Sequence, residues 1–315
     1  MTSDGFQRLV AAQRLLQRLV AAPQPAAVLD SLRGPAPDAA SHGLTAADRE
    51  ALSQLDRRHL LVYRRLIRGT LADTFKAQLT RTADRLGSDG VAALVAGFCE
   101  QRLPCSQVLR DVAFEMCAWA LPRWRDDPTV ADFIPDLARF ELMEFDVYAA
   151  QRSPRGWPQS AGDQLHPDSA VAFDGSMRLL QLAHRAHELP DETGDTSVPT
   201  AQVVHLLAYR DSDGDYRQLE LTPLAAAMLE RLWHGQPLAA SIGAACDAQS
   251  QPLTQLVIDG ISTVLADLNE RGVVLGASAV GERLPPSPWA FRLYRDCDMG
   301  HSEVDGNERG RHNAS

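Results

Sequence analysis

A helical hydrophobic pattern that continues from residue 4 to about residue 150 constrains the fold most strongly. Apolar residues recur at i, i+3, i+4 and i+7, as in amphipathic helices, and strand-type alternation is missing. Short segments with Pro or Gly interrupt the pattern: PQP (23–25), RGPAPDAASHG (33–43), GSDG (87–90), LPC (103–105) and DDP (126–128). We therefore predict a bundle of about six helices over residues 1–155, with a kink or a break at Gly69-Thr70.

The pattern changes after QRSPRGWPQSAGDQLHP (151–167), a composition typical of linkers, and we place the linker at 156–168. Two β-rich runs flank the turn DSDGD (211–215) and predict a hairpin, while AVAF (170–173) and MRLLQLAH (177–184) predict a further strand. Three helices follow, beginning at Pro223, Pro237 and Pro252, and then a short wing-like strand in RGVVLG (271–276).

The predicted fold is mainly α with a small α+β domain. An N-terminal helical bundle precedes a winged-helix domain over 169–280, which contains the β-hairpin or a three-stranded sheet. The polar and Pro-rich segment 281–315 is predicted to be a flexible tail.

Three helices that end in a wing form the skeleton of many DNA-binding domains, but the charge of this module is wrong for DNA. Residues 221–276 contain two arginines and five acidic residues, and the third helix has its first cation at its far end, at Arg271. Because phosphate contacts supply most non-specific affinity, this module is not expected to bind nucleic acid.

The hairpin before the first of these helices favours a different ligand, a peptide that adds as a strand to an exposed sheet edge. The predicted binding residues are those of the second hairpin strand and of the third helix: Tyr216, Arg217, Gln218, Leu219, Glu220, Leu253, Leu256, Val257 and Gly260. A glycine inside a helix costs about 1 kcal/mol relative to Ala. Close approach of a partner backbone or tight packing against a neighbouring helix would explain Gly260.

One basic stripe lies on the helical segment 56–87, although the whole chain has a formal net charge of −10. Its members are Arg57, Arg58, Arg64, Arg65, Arg68, Lys76, Arg81 and Arg85. A solvated helix face is the usual explanation for such a stripe. A docking surface for an acidic protein and a DNA-binding transcription regulator are the alternatives.

Catalytic and metal-binding motifs are missing from the sequence. His184, His187 and Glu188 do not have a zinc-protease spacing, and the five cysteines form no CxxC pair. Cys99 or Cys105 with His59 would make a thiol nucleophile and its base, but inert buried thiols explain them better. We expect no catalytic residue, cofactor or metal in this chain, and a cytoplasmic protein without a membrane-spanning helix.

Two segments resemble known families. The hairpin with residues 221–276 resembles the PqqD-like recognition element, which binds leader peptides of ribosomally made natural products. YRRLIRGTLADTFKAQL, LRDVAFEMCAWA and IPDLARFELMEFDVYAA resemble the DUF2063-like helical domain, once labelled as DNA-binding, of partner proteins of multinuclear non-haem iron oxidative enzymes (MNIO, DUF692). The matching positions are a Tyr-Arg pair and a Pro-x-Leu-Ala-x-x-Glu helix: Tyr63, Arg64, Pro135, Leu137, Ala138, Glu141 and Ala149.

The order of these two resemblances along one chain implies a partner subunit that forms a heterodimer with an MNIO-family iron oxidase. The subunit would bind a precursor or carrier peptide and present its cysteine, with the iron held by the oxidase. Length and tail favour the 3-thiaglutamate type, which excises the β-carbon of a cysteine; methanobactin and copper-metallophore partners are the alternatives. The predicted partner-docking residues are Tyr63, Arg64, Arg65, Arg68 and Glu141.

Overall fold

The computed structural model describes residues 3–31, 44–54, 56–106, 108–150, 162 and 164–278. The predicted tail 281–315 and most of the predicted linker lie outside these residues. Seven helices occupy the described part of the first half: α1 (Ser3–Ala21), α2 (Pro25–Ser31), α3 (Ala46–Gln54), α4 (Arg57–Gln78), α5 (Thr80–Gln101), α6 (Leu109–Asp126) and α7 (Ile134–Ala149). Among the residues that the structure describes, no helix is long and apolar enough to cross a membrane.

The boundary between α4 and α5 differs from the sequence prediction. Helix α4 continues through Gly69 and Thr70, where the Thr70 hydroxyl donates a hydrogen bond to the Leu66 carbonyl at 2.9 Å. The predicted kink or break there is wrong, because a glycine lowers helix propensity without preventing helical backbone angles. The chain turns instead at Leu79, with φ −125° and ψ 59°, and again at Gly87, where φ is +70°.

The second half confirms the predicted hairpin and places the two upstream runs in different sheets. Strands β2 (Arg178–Leu182), β3 (Val204–Arg210) and β4 (Tyr216–Leu221) form an antiparallel sheet in the order β2-β3-β4. Strand β1 (Ala170–Phe173) pairs instead with β5 (Val274–Ser278), the strand expected as a wing. The mainly helical fold with a three-stranded sheet is therefore confirmed.

Three helices connect β4 to β5: α8 (Pro223–Trp233), α9 (Leu238–Ala248) and α10 (Gln255–Glu270). Hydroxyl N-caps begin α8 and α10, since Thr222 accepts from the Ala225 amide and Thr254 accepts from the Val257 amide. Helix α10 thus begins after its cap at Thr254 rather than at Pro252, two residues earlier.

The three-stranded sheet packs against helices on both faces. Leu180, Leu182 and Leu206 on one face belong to the hydrophobic core of the bundle, which includes Leu142 of α7. The alternate residues of the same strands, such as Leu179 and Leu207, belong to a second core with α8 and α10. Because side chains alternate between the two faces of a strand, one sheet joins both cores.

A buried ion pair fixes α7 on this sheet. The Arg178 Nε atom lies 2.6 Å from an Asp146 carboxylate oxygen, and both side chains are buried. The guanidinium also donates to the carbonyl oxygens of Gly175 and Met177. The Arg210 guanidinium adds a hydrogen bond to the Ala150 carbonyl at the end of α7. The predicted domain boundary after residue 155 lies outside the described residues and stays a prediction.

Replacing Asp146 with alanine should destabilise the protein strongly, because Arg178 would keep a buried charge without its partner. We expect a loss of about 3 kcal/mol in the free energy of unfolding, measured by denaturant titration. Asp73→Ala, at an exposed position of α4, is the control and should change stability by less than about 0.5 kcal/mol. Equal effects of the two substitutions would contradict this role for the ion pair.

Candidate peptide-binding edge

Strand β4 leaves one side of its backbone without a neighbouring strand among the described residues. In the ladder with β3, Leu219 is opposite Leu207 and Gln218 is opposite Ala208. The Tyr216 amide points away from β3, because it donates to the hydroxyl of Tyr148 at 3.3 Å. Backbone groups alternate along an antiparallel pair, so Gln218 and Glu220 also direct their N–H and C=O groups outward. We call these outward groups of Gln218 and Glu220 the β4 edge.

Tyr148 closes the β4 edge at the hairpin end. The Tyr148 ring lies 6.4 Å from the ring of Tyr216. The Tyr148 hydroxyl accepts the hydrogen bond of the Tyr216 amide, so this amide is not available to an added strand. A peptide that pairs with β4 therefore begins or ends its pairing at Gln218. This closure depends on the end of α7, which the sequence does not place next to a strand 68 residues later.

The β4 side chains are held by contacts within the protein. Arg217 pairs with Asp211 at 2.7 Å, and the Tyr216 hydroxyl donates to the Gln218 side chain at 3.1 Å. Glu220 accepts two hydrogen bonds from the Arg185 guanidinium, at 2.7 and 3.0 Å. These contacts hold the strand extended, which lowers the entropy cost of pairing with a peptide.

One flank of α10 supplies apolar surface next to the second core, the one that contains Leu179 and Leu207. Leu256 is 81% exposed and Leu253 is 53% exposed, while Val257 and Val264 are partly buried against the second core. Leu219 and Leu221 of β4 are partly buried against that core as well. We call the surface formed by Leu253, Leu256, Val257, Gly260 and Val264 the α10 flank. Val264 and Leu221 were not among the predicted residues, although helical and strand periodicity place both on the same faces as the predicted ones.

A hydrogen bond connects the C-terminal end of α10 to the sheet. Arg271, which ends the helix, donates to the Tyr209 hydroxyl at 3.3 Å, and Tyr209 is opposite Arg217 near the hairpin. Leu256 lies at the opposite end of the helix, and Leu253 precedes the N-cap Thr254 there. The structure thus places an open strand edge and an exposed apolar helix flank on one core.

Gly260 is not explained by packing within the protein. The residue is exposed, and a Cβ atom added to it would have no heavy atom within 4 Å in the part of the chain that the structure describes. Tight packing against a neighbouring helix, one of the two explanations, is therefore wrong for the described residues. The approach of a partner backbone stays a prediction.

Three of the five predicted partner-docking residues have structural roles inside the bundle. Arg64 and Arg68 donate to the carbonyl oxygens of Ala22 and Val20 at the end of α1, each at 2.9 Å. Glu141 accepts hydrogen bonds from the backbone amides of Arg81 and Thr82, at 2.8 and 2.9 Å. These contacts satisfy helix termini, which otherwise leave backbone groups unpaired.

Tyr63 and Arg65, the other two predicted docking residues, are exposed on α4. Val62 and Leu66 are exposed beside them, and Leu66 is 63% exposed. We call Val62, Tyr63, Arg65 and Leu66 the docking patch. An apolar patch with one cation is suited to a protein partner rather than to a polyanion.

Contacts within the protein also reduce the number of cations that the basic stripe can offer to a ligand. Arg81 lies 3.0 Å from Asp191 and 3.6 Å from Glu141, and Arg85 lies 2.6 Å from Asp195. Since Arg64 and Arg68 cap α1, four of the eight cations serve the fold. This use of the arginines disfavours the stripe as a binding surface for DNA, which needs several cations directed at phosphates.

The surroundings of Cys99, His184 and His187 do not favour the candidate thiol or metal chemistry. Burial raises the pKa of the Cys99 thiol, which disfavours a reactive thiolate. His184 Nδ1 lies 2.9 Å from an Asp136 oxygen, whereas His187 Nε2 lies 3.6 Å from Glu220. Burial also lowers the pKa of His187. Searching the described residues gives no group of three His, Cys, Asp or Glu side chains suited to a metal ion.

The β4 edge and the α10 flank lie within a segment that is similar to a known domain. Residues 176–269 match the family described as the HvfC C-terminal domain. The matched segment includes β2, β3, β4, α8 and α9 and almost all of α10, and it is less than a third of the chain. This match agrees with the predicted resemblance to MNIO partner proteins at the level of the C-terminal domain. No curated protein matches the sequence.

Replacing Gly260 with alanine should stabilise the protein while weakening peptide binding. Alanine raises helix propensity at this open position by about 1 kcal/mol, and its methyl group would separate α10 from an approaching peptide backbone. Thermal unfolding and peptide binding measured on the same variant test both effects. Gly69→Ala, in the interior of α4, is the control: it should also stabilise the protein and leave binding unchanged. Undiminished peptide binding by Gly260→Ala would rule out the approach of a backbone at this position.

Proposed function

We propose that this protein is a non-catalytic partner subunit of an MNIO-family iron oxidase and that it binds a precursor peptide as an added strand. The β4 edge provides main-chain hydrogen bonds, and the α10 flank provides apolar contacts for alternate peptide side chains. The observation that carries the proposal is an open β4 edge and an exposed apolar α10 flank that share one hydrophobic core, within a segment similar to the HvfC C-terminal domain.

The partner role is supported by the family context of this domain. HvfC-type domains indicate partnership with MNIO-type enzymes, and we extend that role to this chain. In the proposal, the iron and the oxygen chemistry belong to the oxidase. This chain contributes binding, which raises the local concentration of the peptide at the partner's active site.

The finer assignment concerns the peptide and its modification. We propose a carrier peptide with a cysteine near its end, and excision of that cysteine's β-carbon as in 3-thiaglutamate biosynthesis, with this chain in the position of a TglI-type subunit. The support for this finer assignment is the sequence resemblance.

The β4 edge is tested by a proline at an outward position. Gln218→Pro removes an outward amide without removing a hydrogen bond to β3, and edge strands tolerate proline. We expect peptides selected from a random display library against the full chain to bind this variant about tenfold more weakly. Gln218→Ala removes the same side chain and keeps the amide, so it should bind as the unmodified protein does.

Leu219→Pro provides the contrast, because the Leu219 amide faces β3. This variant should lose about 1–3 kcal/mol of stability, because the Leu207 carbonyl would lose its ladder hydrogen bond, whereas Gln218→Pro should keep its unfolding temperature. Hydrogen exchange supplies a measurement without substitutions: a bound peptide should slow exchange of the Gln218 and Glu220 amides. Unchanged exchange of both amides in the presence of a bound peptide would refute strand addition.

The docking patch predicts the effect of a charge on complex formation. Leu66→Asp should weaken association with an MNIO oxidase from the same genome by about tenfold or more, since central apolar contacts dominate interface energies. Leu109→Asp is the control, because Leu109 is 56% exposed on α6 and lies outside the patch. Co-purification and titration calorimetry measure the difference. Equal affinities of the two variants would place the oxidase elsewhere.

A further inference from the structure

A pocket of about 340 Å³ lies between the α4–α5 boundary, α7 and the start of β4. Gln78 and Arg81 line one side, Phe140, Glu144 and Phe145 line the α7 side, and Tyr216 lines the β4 side. The lining of the pocket thus combines aromatic rings with a carboxylate side chain. None of the roles assigned above to the β4 edge or to the docking patch uses it.

The pocket lies next to the start of β4, where α7 reaches the outward side of that strand. The outward amide of Tyr216 meets the hydroxyl of Tyr148, so this face of α7 is on the outer side of β4. Glu144 precedes Tyr148 by four residues, which places both side chains on the same helix face. Burial of the ring raises the pKa of the Tyr216 hydroxyl, and the nearby Glu144 carboxylate raises this pKa further. That effect is consistent with a carboxylate close to the start of β4.

The cation in the pocket is already held by the fold. Arg81 contacts Asp191 and Glu141, donates to the Leu189 carbonyl at 3.0 Å, and lies 5.2 Å from the centre of the Phe140 ring. Its side chain is largely buried by these contacts. Glu144, by contrast, is exposed, and no described residue forms a salt bridge with it. The pocket therefore has an excess of negative charge next to aromatic rings.

We propose that this pocket binds a lysine or arginine side chain of the peptide that adds to β4, and so selects the peptide's register. The inference rests on the proposed function, because strand addition brings the peptide to the mouth of the pocket. A carboxylate beside aromatic rings attracts a cation through a charge-assisted hydrogen bond and cation–π contacts. Since Tyr148 ends the pairing at Gln218, the basic side chain lies at the hairpin end of the added strand.

The charge of the segment that follows β4 favours the same ligand. Residues 221–276, which contain the α10 flank, have two arginines and five acidic residues. Complementary charge speeds association and excludes competing ligands more than it adds affinity. An acidic peptide would meet repulsion both at Glu144 and along this segment.

Selection from a random peptide display library tests the subsite, with the full chain as the bait. Peptides selected on the unmodified protein should share a lysine or arginine at one position relative to their apolar residues. Selection on Glu144→Gln should lose this preference and keep the apolar pattern. Asp89→Asn, which removes one exposed negative charge from α5, should keep both.

One selected peptide then serves in a double-mutant cycle. Replacing its basic residue with norleucine should weaken binding to the unmodified protein about fivefold, and binding to Glu144→Gln less than about twofold. Higher ionic strength should reduce the fivefold effect. Equal losses on both proteins would overturn the subsite, as would a selected pool without a fixed basic position.

Gln218→Pro separates failure of the subsite from failure of the proposed function. If the selected peptides lose affinity for Gln218→Pro but show no fixed basic residue, strand addition stands and the subsite is wrong. If selected peptides bind Gln218→Pro unchanged, both proposals fail, because the peptide then does not lie along β4.

Discussion

The three-stranded sheet β2-β3-β4 is the element on which the rest of this structure depends, because both faces of β2 and β3 are buried against helices. One face completes the core of the N-terminal bundle, and the other completes the core beneath α8 and α10. Strands β2 and β3 therefore leave little surface for another molecule, whereas β4 is half-exposed. Among the described residues β4 is also the last strand in the order β2-β3-β4, and the candidate binding surface follows from that position.

Charged residues reinforce this arrangement from inside the protein. The Asp146–Arg178 pair and the Arg210–Ala150 hydrogen bond attach α7 to the sheet. The same attachment brings Tyr148 to the outward amide of Tyr216 and Glu144 to the pocket beside it. In the proposed binding mode, the contacts that attach α7 to the sheet would also set where an added strand stops.

The arginines of the bundle illustrate how a charge pattern differs from a charged surface. Eight cations on one helical segment suggest a surface for an acidic partner, yet Arg64, Arg68, Arg81 and Arg85 contact carbonyl oxygens and carboxylates of the same chain. Their guanidinium groups are occupied by contacts that a helical projection cannot show. The sequence alone does not single out the exposed apolar residues Val62 and Leu66, because isolated hydrophobic residues are common on protein surfaces.

Local sequence determined the helices, the hairpin and the caps, because periodicity, Pro223 and the hydroxyl of Thr222 act within a few residues. It also determined the apolar faces of β4 and α10, and the scarcity of cations that disfavours nucleic acid. The sequence did not determine that Gly69 continues a helix, that β1 pairs with β5, or that Glu141 caps α5. Tertiary structure alone decided which β4 amides point outward, which arginines stay exposed, and that Glu144 and Tyr148 lie beside β4. Those outcomes depend on contacts between residues far apart in the chain, and spacing along the sequence carries no information about them.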